Sequence, residues 1–329
     1  MISIREELYK YKLIKSIRNN MSITINKSCK KKYYVIYRED PNVGIYSVIL
    51  TTLSHLRYAE ENGLIPVIDM RNFDNEYMYP MTYGGGGTEN AWEFYFEQPS
   101  LVSLEEAYSS SKMKISSGHF KEGYVPSEGF LNNEKDAEDA EVWKKLYFKY
   151  IRYNHSTQSY LDDVWNNIRS KVCEKKIMGC LCRGSDYFYH TKSQKDAFEK
   201  IEIVIDKVEK EMHVHQCQFV FLATEDEDVL YRFENRFGDN LLYLDDFRVN
   251  SDERRLLGQA WKANKIDLRK KGLNYIASVY VLAHCNCFVG TKTSASVFLP
   301  IISDLEYQFY FDLNSIEKAL EEEKAVKEV

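Results

Sequence analysis

"GCLCRGSDYFYH" (residues 179–190) begins inside a strand and ends in a loop. The run "KIMGCLC" (176–182) is apolar apart from its first lysine. A short continuous run of this kind suits a strand covered on both faces. It stops at Arg183-Gly184-Ser185-Asp186. A guanidinium where a buried strand ends, with a carboxylate three residues on, has two readings. One is a structural ion pair; the other is a grip on a phosphate.

The same rhythm continues outward from this stretch. A helix with Phe198, Ile201, Ile205, Val208 and Met212 on one face leads to strand "QFVFLAT" (218–224). "EDED" then opens a helix carrying Leu230 and Phe233, followed by strand "NLLYL" (240–244). A helix across "LNYIASVYVLAH" (273–284) feeds strand "CNCFVGT" (285–291) and loop "KTSAS". Toward the N-terminus, strand "YYVIY" (33–37) passes through "REDPNVG" into a helix marked by Ile49, Leu53 and Leu56. Gly63 stands where a terminating glycine belongs, and "LIPVIDM" (64–70) is the next strand. Alternating strands and helices predict parallel sheets with covered faces. Residues 71–135 are irregular, and include "GGGG" (84–87) and "TENAWEFYFEQP" (88–99). A helical region from Asp136 to Lys171 breaks near "YNHSTQSY" (153–160). The expectation is an α/β chain of two domains, 1–160 and 161–329, divided at that break.

The length of 329 residues allows both domains a core, and 44% hydrophobic with 29% charged residues is an ordinary globular composition. A net charge of −6 argues against a general nucleic-acid binder. The charge is uneven: residues 1–32 hold nine Lys or Arg against Glu6 and Glu7, a balance of +7, which leaves −13 for the remainder. Ile4, Leu8, Tyr11, Ile14 and Ile17 recur there at helical spacing. Such a basic amphipathic helix either rests on an anionic membrane surface or docks on the body with its lysines in water. No apolar run approaches a membrane-spanning length, and the start lacks the apolar core of a secretory signal. The expected location is cytoplasmic, with residues 1–32 as the candidate peripheral contact with the inner face of the membrane. The seven cysteines are odd in number and sit mostly in apolar stretches, as reduced thiols do. Cys180-x-Cys182, Cys285-x-Cys287 and His213-x-His215 are too closely spaced for usual zinc sites, so no metal site is expected.

Three loops leave carboxyl ends of strands in the second half: Arg183 to Asp186, Thr224-Glu225-Asp226, and Thr291 to Ser296. A parallel sheet gathers such ends along one edge. Guanidinium, hydroxyls and helix N-terminal amides are the inventory for a diphosphate. A carboxylate suits the donor edge of guanine or a ribose diol. The plainer reading makes Asp226 and Ser294 helix caps.

"GCLCRGSDY", "VFLATEDEDVLYRFENRFGD" and "IASVYVLAHCNCFVGTKTSASVFL" resemble, in order and spacing, the donor-binding motifs of the fucosyltransferase superfamily. That superfamily includes α1,6-, nodulation and protein O-fucosyltransferases. "EDPNVGIYSVILTTLSHLRYAEENGLIPVID" resembles their amino-terminal loop and helix. The resemblance covers about half the chain and is stronger in its second half. It implies a GT-B fold of two Rossmann-like domains facing a central cleft. It also implies an inverting glycosyltransferase that takes fucose from GDP-fucose to a glycan acceptor, without a metal or other cofactor. Arg183 takes the place of the first arginine of the family's His-x-Arg-Arg motif, while Leu181 and Gly184 replace its histidine and second arginine. Asp226 matches an aspartate associated with the nucleotide, and Ser294, flanked by Thr293 and Ser296, a serine beside the phosphates. Asn42, Gly44 and Tyr46 fall in the loop implied to approach the donor. Asp186 and His190 are the candidate bases, with Asp186 open to a second reading as a brace for Arg183. Glu89, Asn90, Trp92 and Glu93 lie where acceptors bind in the superfamily, and Trp92 is equally readable as a buried anchor. The setting implied is bacterial synthesis of a surface polysaccharide or glycoconjugate. Two other readings stay open: a transferase using another nucleotide sugar, with or without a metal, and a non-catalytic binding protein of the same fold.

Overall fold

A computed structural model describes residues 4–78, 89–126, 134–184, 194–249 and 266–311. The chain divides into two compact units, Met1–Gln158 and Ser159–Val329.

Unit 1 opens with helix α1 (Ile4–Asn20) and carries a three-stranded parallel sheet ordered β2-β1-β3. Its strands are β1 (Tyr33–Ile36), β2 (Ile65–Ile68) and β3 (Lys114–Ile115), with Tyr33 opposite Ile65 and Tyr34 opposite Lys114. Helix α2 (Ile45–Glu61) joins β1 to β2; it ends at Asn62 and Gly63, the latter at φ +59°, where lack of a Cβ removes the strain. Helices α3 (Leu104–Ser109) and α4 (Glu134–Tyr150) complete the unit, and α5 (His155–Val172) runs on into unit 2. The core joins Val35, Val67, Ala107, Tyr108 and Ile115 with Ile17 of α1. Strand β3 and helix α3 lie in the stretch expected to be irregular; two and six residues are too short to show a period.

Unit 2 carries five parallel strands ordered β6-β5-β4-β7-β8. They are β4 (Ile177–Leu181), β5 (Phe219–Ala223), β6 (Leu241–Leu242), β7 (Cys287–Thr291) and β8 (Tyr307–Phe311). The connecting helices are α6 (Gln194–His215), α7 (Glu227–Phe237), α8 (Leu268–Ala283) and α9 (Ser294–Ile302). Strand β4 is buried at every position, as its unbroken apolar run requires. Ile201, Ile205 and Val208 of α6 pack into the same core, with Phe198 and Met212 partly buried beside them. Cys180, Cys182, Cys217, Cys285 and Cys287 are all buried free thiols. Burial pushes the Cys180, Cys182 and Cys285 thiols upward in pKa.

The strand order places the site. From β4 the chain winds outward through β5 to β6, then returns to the other side of β4 with β7 and β8. The winding reverses between β4 and β7. In open parallel sheets, ligands bind at the carboxyl ends of the two strands flanking such a reversal. Here those ends carry Arg183 and Thr291 to Ser294. Gly290 lets the two strands close up, because a Cβ there would lie 2.7 Å from the carbonyl oxygen of Leu181.

Candidate nucleotide-sugar site

Arg183 is half-buried at the carboxyl end of β4, and its backbone N–H donates to Thr291 Oγ1 at 3.4 Å. Thr291 is fully buried, and its hydroxyl donates in turn to the carbonyl of Leu181 at 3.3 Å. The arginine loop and the loop after β7 are thereby tied at the reversal point. Gly184 follows because nothing larger fits: a Cβ there would stand 2.6 Å from both Asp226 Oδ2 and Val229 Cγ2.

Asp226 is the N-cap of α7, its Oδ1 accepting the N–H groups of Asp228 and Val229 at 2.9 and 3.1 Å. Its carboxylate is 1% exposed, and Oδ2 has no hydrogen-bond partner. Burial pushes its pKa up to about 6, with Asp228 and Glu227 adding repulsion. The capping reading of Asp226 therefore accounts for Oδ1.

An open pocket lies beside Arg183, over the ends of β4 and β5 and against α8. Leu181, Leu222, Ala223 and Leu244 give it an apolar floor. Its rim holds Arg183, Thr224, Glu225, Asp246, Arg248, Lys271, Tyr275 and Ser278. Of the neighbouring acids after β5, Glu225 lines this space and Asp226 does not. Lys271 is almost wholly buried and holds the wall together, donating to Asp246 Oδ2 at 2.7 Å and to the Phe247 carbonyl at 3.0 Å. Glu225 stands 3.6 Å from the same ammonium. Asn274 donates to the other oxygen of Asp246 at 3.1 Å and accepts from Tyr160 at 2.8 Å. Arg248 is held by the carbonyls of Leu244 and Asp246. Three cations and two carboxylates leave this rim formally at +1, which suits an anion.

None of Arg248, Lys271, Tyr275 and Ser278 was singled out from the sequence, and Asp246 stood out only within the acidic "LDD" (244–246) as a possible metal ligand. One signal was present: Lys271, Tyr275 and Ser278 recur at i, i+4 and i+7, a polar line along one face of the helix.

The loop after β7 resolves into a capping box. Thr293, not Ser294, is the N-cap of α9. Thr293 Oγ1 accepts from the Ser296 N–H at 3.3 Å, and Ser296 Oγ from the Thr293 N–H at 2.7 Å. Those two hydroxyls are spent on the helix, and Ser296 is fully buried. Ser294, at the first helical position, is exposed. It shares that helix end with backbone N–H groups and the positive pole of the helix dipole.

In unit 1, Asn42 and Gly44 are exposed at the amino end of α2, and Gly44 is its N-cap. Tyr46 is buried in the helix, with 2% of its surface exposed. Of the four residues nominated for an acceptor, Glu89 and Glu93 are exposed. Trp92 is fully buried, stacks on Phe96 and donates its Nε1–H to the Glu97 carbonyl at 3.0 Å. A ring with no solvent-facing surface cannot stack on a sugar, so the packing corrects the stacking reading in favour of the buried anchor. Asn90 is also structural: its amide accepts from the Met70 N–H and donates to the Ile68 carbonyl, at 2.9 and 2.8 Å. Gln98 adds a second amide at Ile68. Side-chain amides thus satisfy the N–H and carbonyl of Ile68 at the end of β2, an edge strand among the described residues. Asp186, His190 and the glycines at 84–87 lie outside the described residues. Among the described residues, no three His, Cys, Asp or Glu side chains cluster as metal ligands.

No protein-family model matches the sequence, and comparison with curated proteins gives no match. Solved structures do match. Fucosyltransferase NodZ from Bradyrhizobium superposes with a TM-score of 0.51 at 13% identity, over 87% of this chain and 96% of that one. Arabidopsis thaliana FUT1 in complex with GDP gives a TM-score of 0.50 at 9% identity, over 92% and 76%. With its two parallel sheets and the arginine loop at the reversal of the larger one, the chain has a fucosyltransferase-like fold.

Proposed function

We propose that the protein is an inverting glycosyltransferase that moves fucose from GDP-fucose to a glycan acceptor in the synthesis of a bacterial surface polysaccharide or glycoconjugate. The observation that carries this reading is the position of Arg183 at the β4–β7 reversal, where a parallel sheet binds its ligand, beside the exposed N-terminus of α9. The fold and the order of the donor-binding motifs support the choice of donor.

In the proposed step, the acceptor hydroxyl oxygen attacks the anomeric carbon of fucose as the bond from that carbon to the phosphate oxygen breaks. The bonding pair leaves with GDP, where Arg183, the α9 amides and Ser294 neutralise the growing charge. The acceptor proton passes to a base, for which Asp186 and His190 are the sequence candidates. The pocket against Tyr275, Ser278 and Glu225 is offered to the nucleoside. Asp226, withdrawn into its cap, acts in this scheme by holding the arginine loop rather than by touching the nucleotide.

Thermal melting with GDP, UDP and GDP-fucose, with and without EDTA, tests the donor. A ligand at about 100 times its Kd should stabilise the fold by about 2.7 kcal/mol. Stabilisation by UDP alone, or strict dependence on Mn²⁺, would overturn the choice of GDP-fucose. Arg183→Ala should lower kcat about 100-fold or more while leaving the fold intact; unchanged turnover would remove Arg183 from the mechanism.

A further inference from the structure

Helix α1 packs through only half its length. Tyr9, Leu13 and Ile17 are spaced by four and lie along one line of the helix. Along that line exposure falls from 55% at Tyr9, through a half-buried Leu13, to 3% at Ile17. Arg18 completes the anchor, donating to the carbonyls of Tyr108 and Ser110 at 2.8 Å each. The first turns are therefore less covered than the last turns, which the unit grips. They carry Leu8 and Tyr11 as well, 52% and 64% exposed.

Around these apolar side chains stand Arg5, Lys12 and Lys15 on the helix and Lys27, Lys30 and Lys32 in the segment after it, all exposed. Tyrosine rings with a leucine between them, flanked by lysines on long apolar stems, match a bilayer interface: rings at headgroup depth, ammonium groups among the phosphates. The rest of the chain carries −13 and is repelled by an anionic surface, so this end alone can approach one.

We propose that the amino-terminal turns of α1 dock on an anionic lipid bilayer, with Leu8, Tyr9 and Tyr11 at the interface and the surrounding lysines and arginine binding lipid phosphates. This rests on residues outside the nucleotide-sugar site and stands whether or not GDP-fucose is the donor.

Flotation of the full chain with equimolar phosphatidylcholine–phosphatidylglycerol vesicles, against phosphatidylcholine alone, tests it. Binding is expected to the anionic vesicles only, and to weaken as salt is raised. The triple change Leu8→Ser, Tyr9→Ser, Tyr11→Ser and the double change Lys12→Glu, Lys15→Glu should each reduce binding about tenfold or more. The melting temperature should hold in both, since all five side chains are exposed. No binding, equal binding to both vesicle types, or either variant binding like the parent would overturn the proposal. A dimer that the triple change dissolves, in a parent that ignores vesicles, would assign the face to a second copy instead.

Discussion

Asp226 spends one carboxylate oxygen on the cap of α7 and keeps the other in a dry contact with the bare backbone of Gly184. Its pKa is about 6 in the folded chain against an ordinary 3.8. The folded state thus holds a proton that the unfolded state has lost between those values. Stability falls as pH rises through that window and levels off above it, by about 3 kcal/mol in all. Asp226→Asn keeps a capping oxygen and removes the charge, so its stability relative to the parent should improve by up to that amount from about pH 4 to pH 7 in urea titrations. A difference that does not move with pH would sink the idea. Gly184 is the other half of the contact. Gly184→Ala places a methyl 2.6 Å from two groups, and overpacking of this kind should cost about 2 kcal/mol in the same assay. A midpoint like the parent's would mean that the arginine loop shifts at little cost.

At the scale of the element, α9 separates hydroxyls that hold a helix from one, Ser294, left exposed at its first turn. Thr293→Ala should lose about 1 kcal/mol of stability, because it removes a cap. Ser294→Ala should leave stability within about 0.5 kcal/mol and weaken GDP binding about tenfold, the worth of one hydrogen bond to a charged group. Calorimetry and melting on the two variants check both outcomes; the reverse pattern would exchange the roles. Helix α8 makes a similar division. Its apolar residues pack on the sheet, while Lys271, Tyr275 and Ser278 line the pocket.

For the whole molecule, hydrogen exchange offers the widest test of where the donor sits. GDP should protect the backbone around 181–184, 223–226 and 291–296 in unit 2. Protection confined to unit 1 would overturn the site.

The strands bearing the site could be read because buried parallel strands are continuous apolar runs, and β4, β5 and β7 have no other signature to offer. Strand β8 was missed: "YQFYF" is an edge strand, half-exposed at four of its five positions, and its mixed pattern does not distinguish it from a loop. The places of Arg183 and Ser294, two and three residues beyond the ends of β4 and β7, were legible for a similar reason. The meeting of Glu225, Asp246 and Lys271 was not legible, because it depends on winding that brings residues 225, 246 and 271 to one edge. Trp92 and Asn90 show the same limit. Their types suit a sugar site, yet packing against β2 gives one ring to the core and one amide to the strand edge. Local sequence by itself determined the alternation of strands and helices, the thiol-rich core and the position of the arginine, because these follow from short-range periodicity. Only the tertiary structure decided which polar groups are spent on caps and edges and which face the pocket, because hydrogen-bond partners are chosen by distance in space, not along the chain.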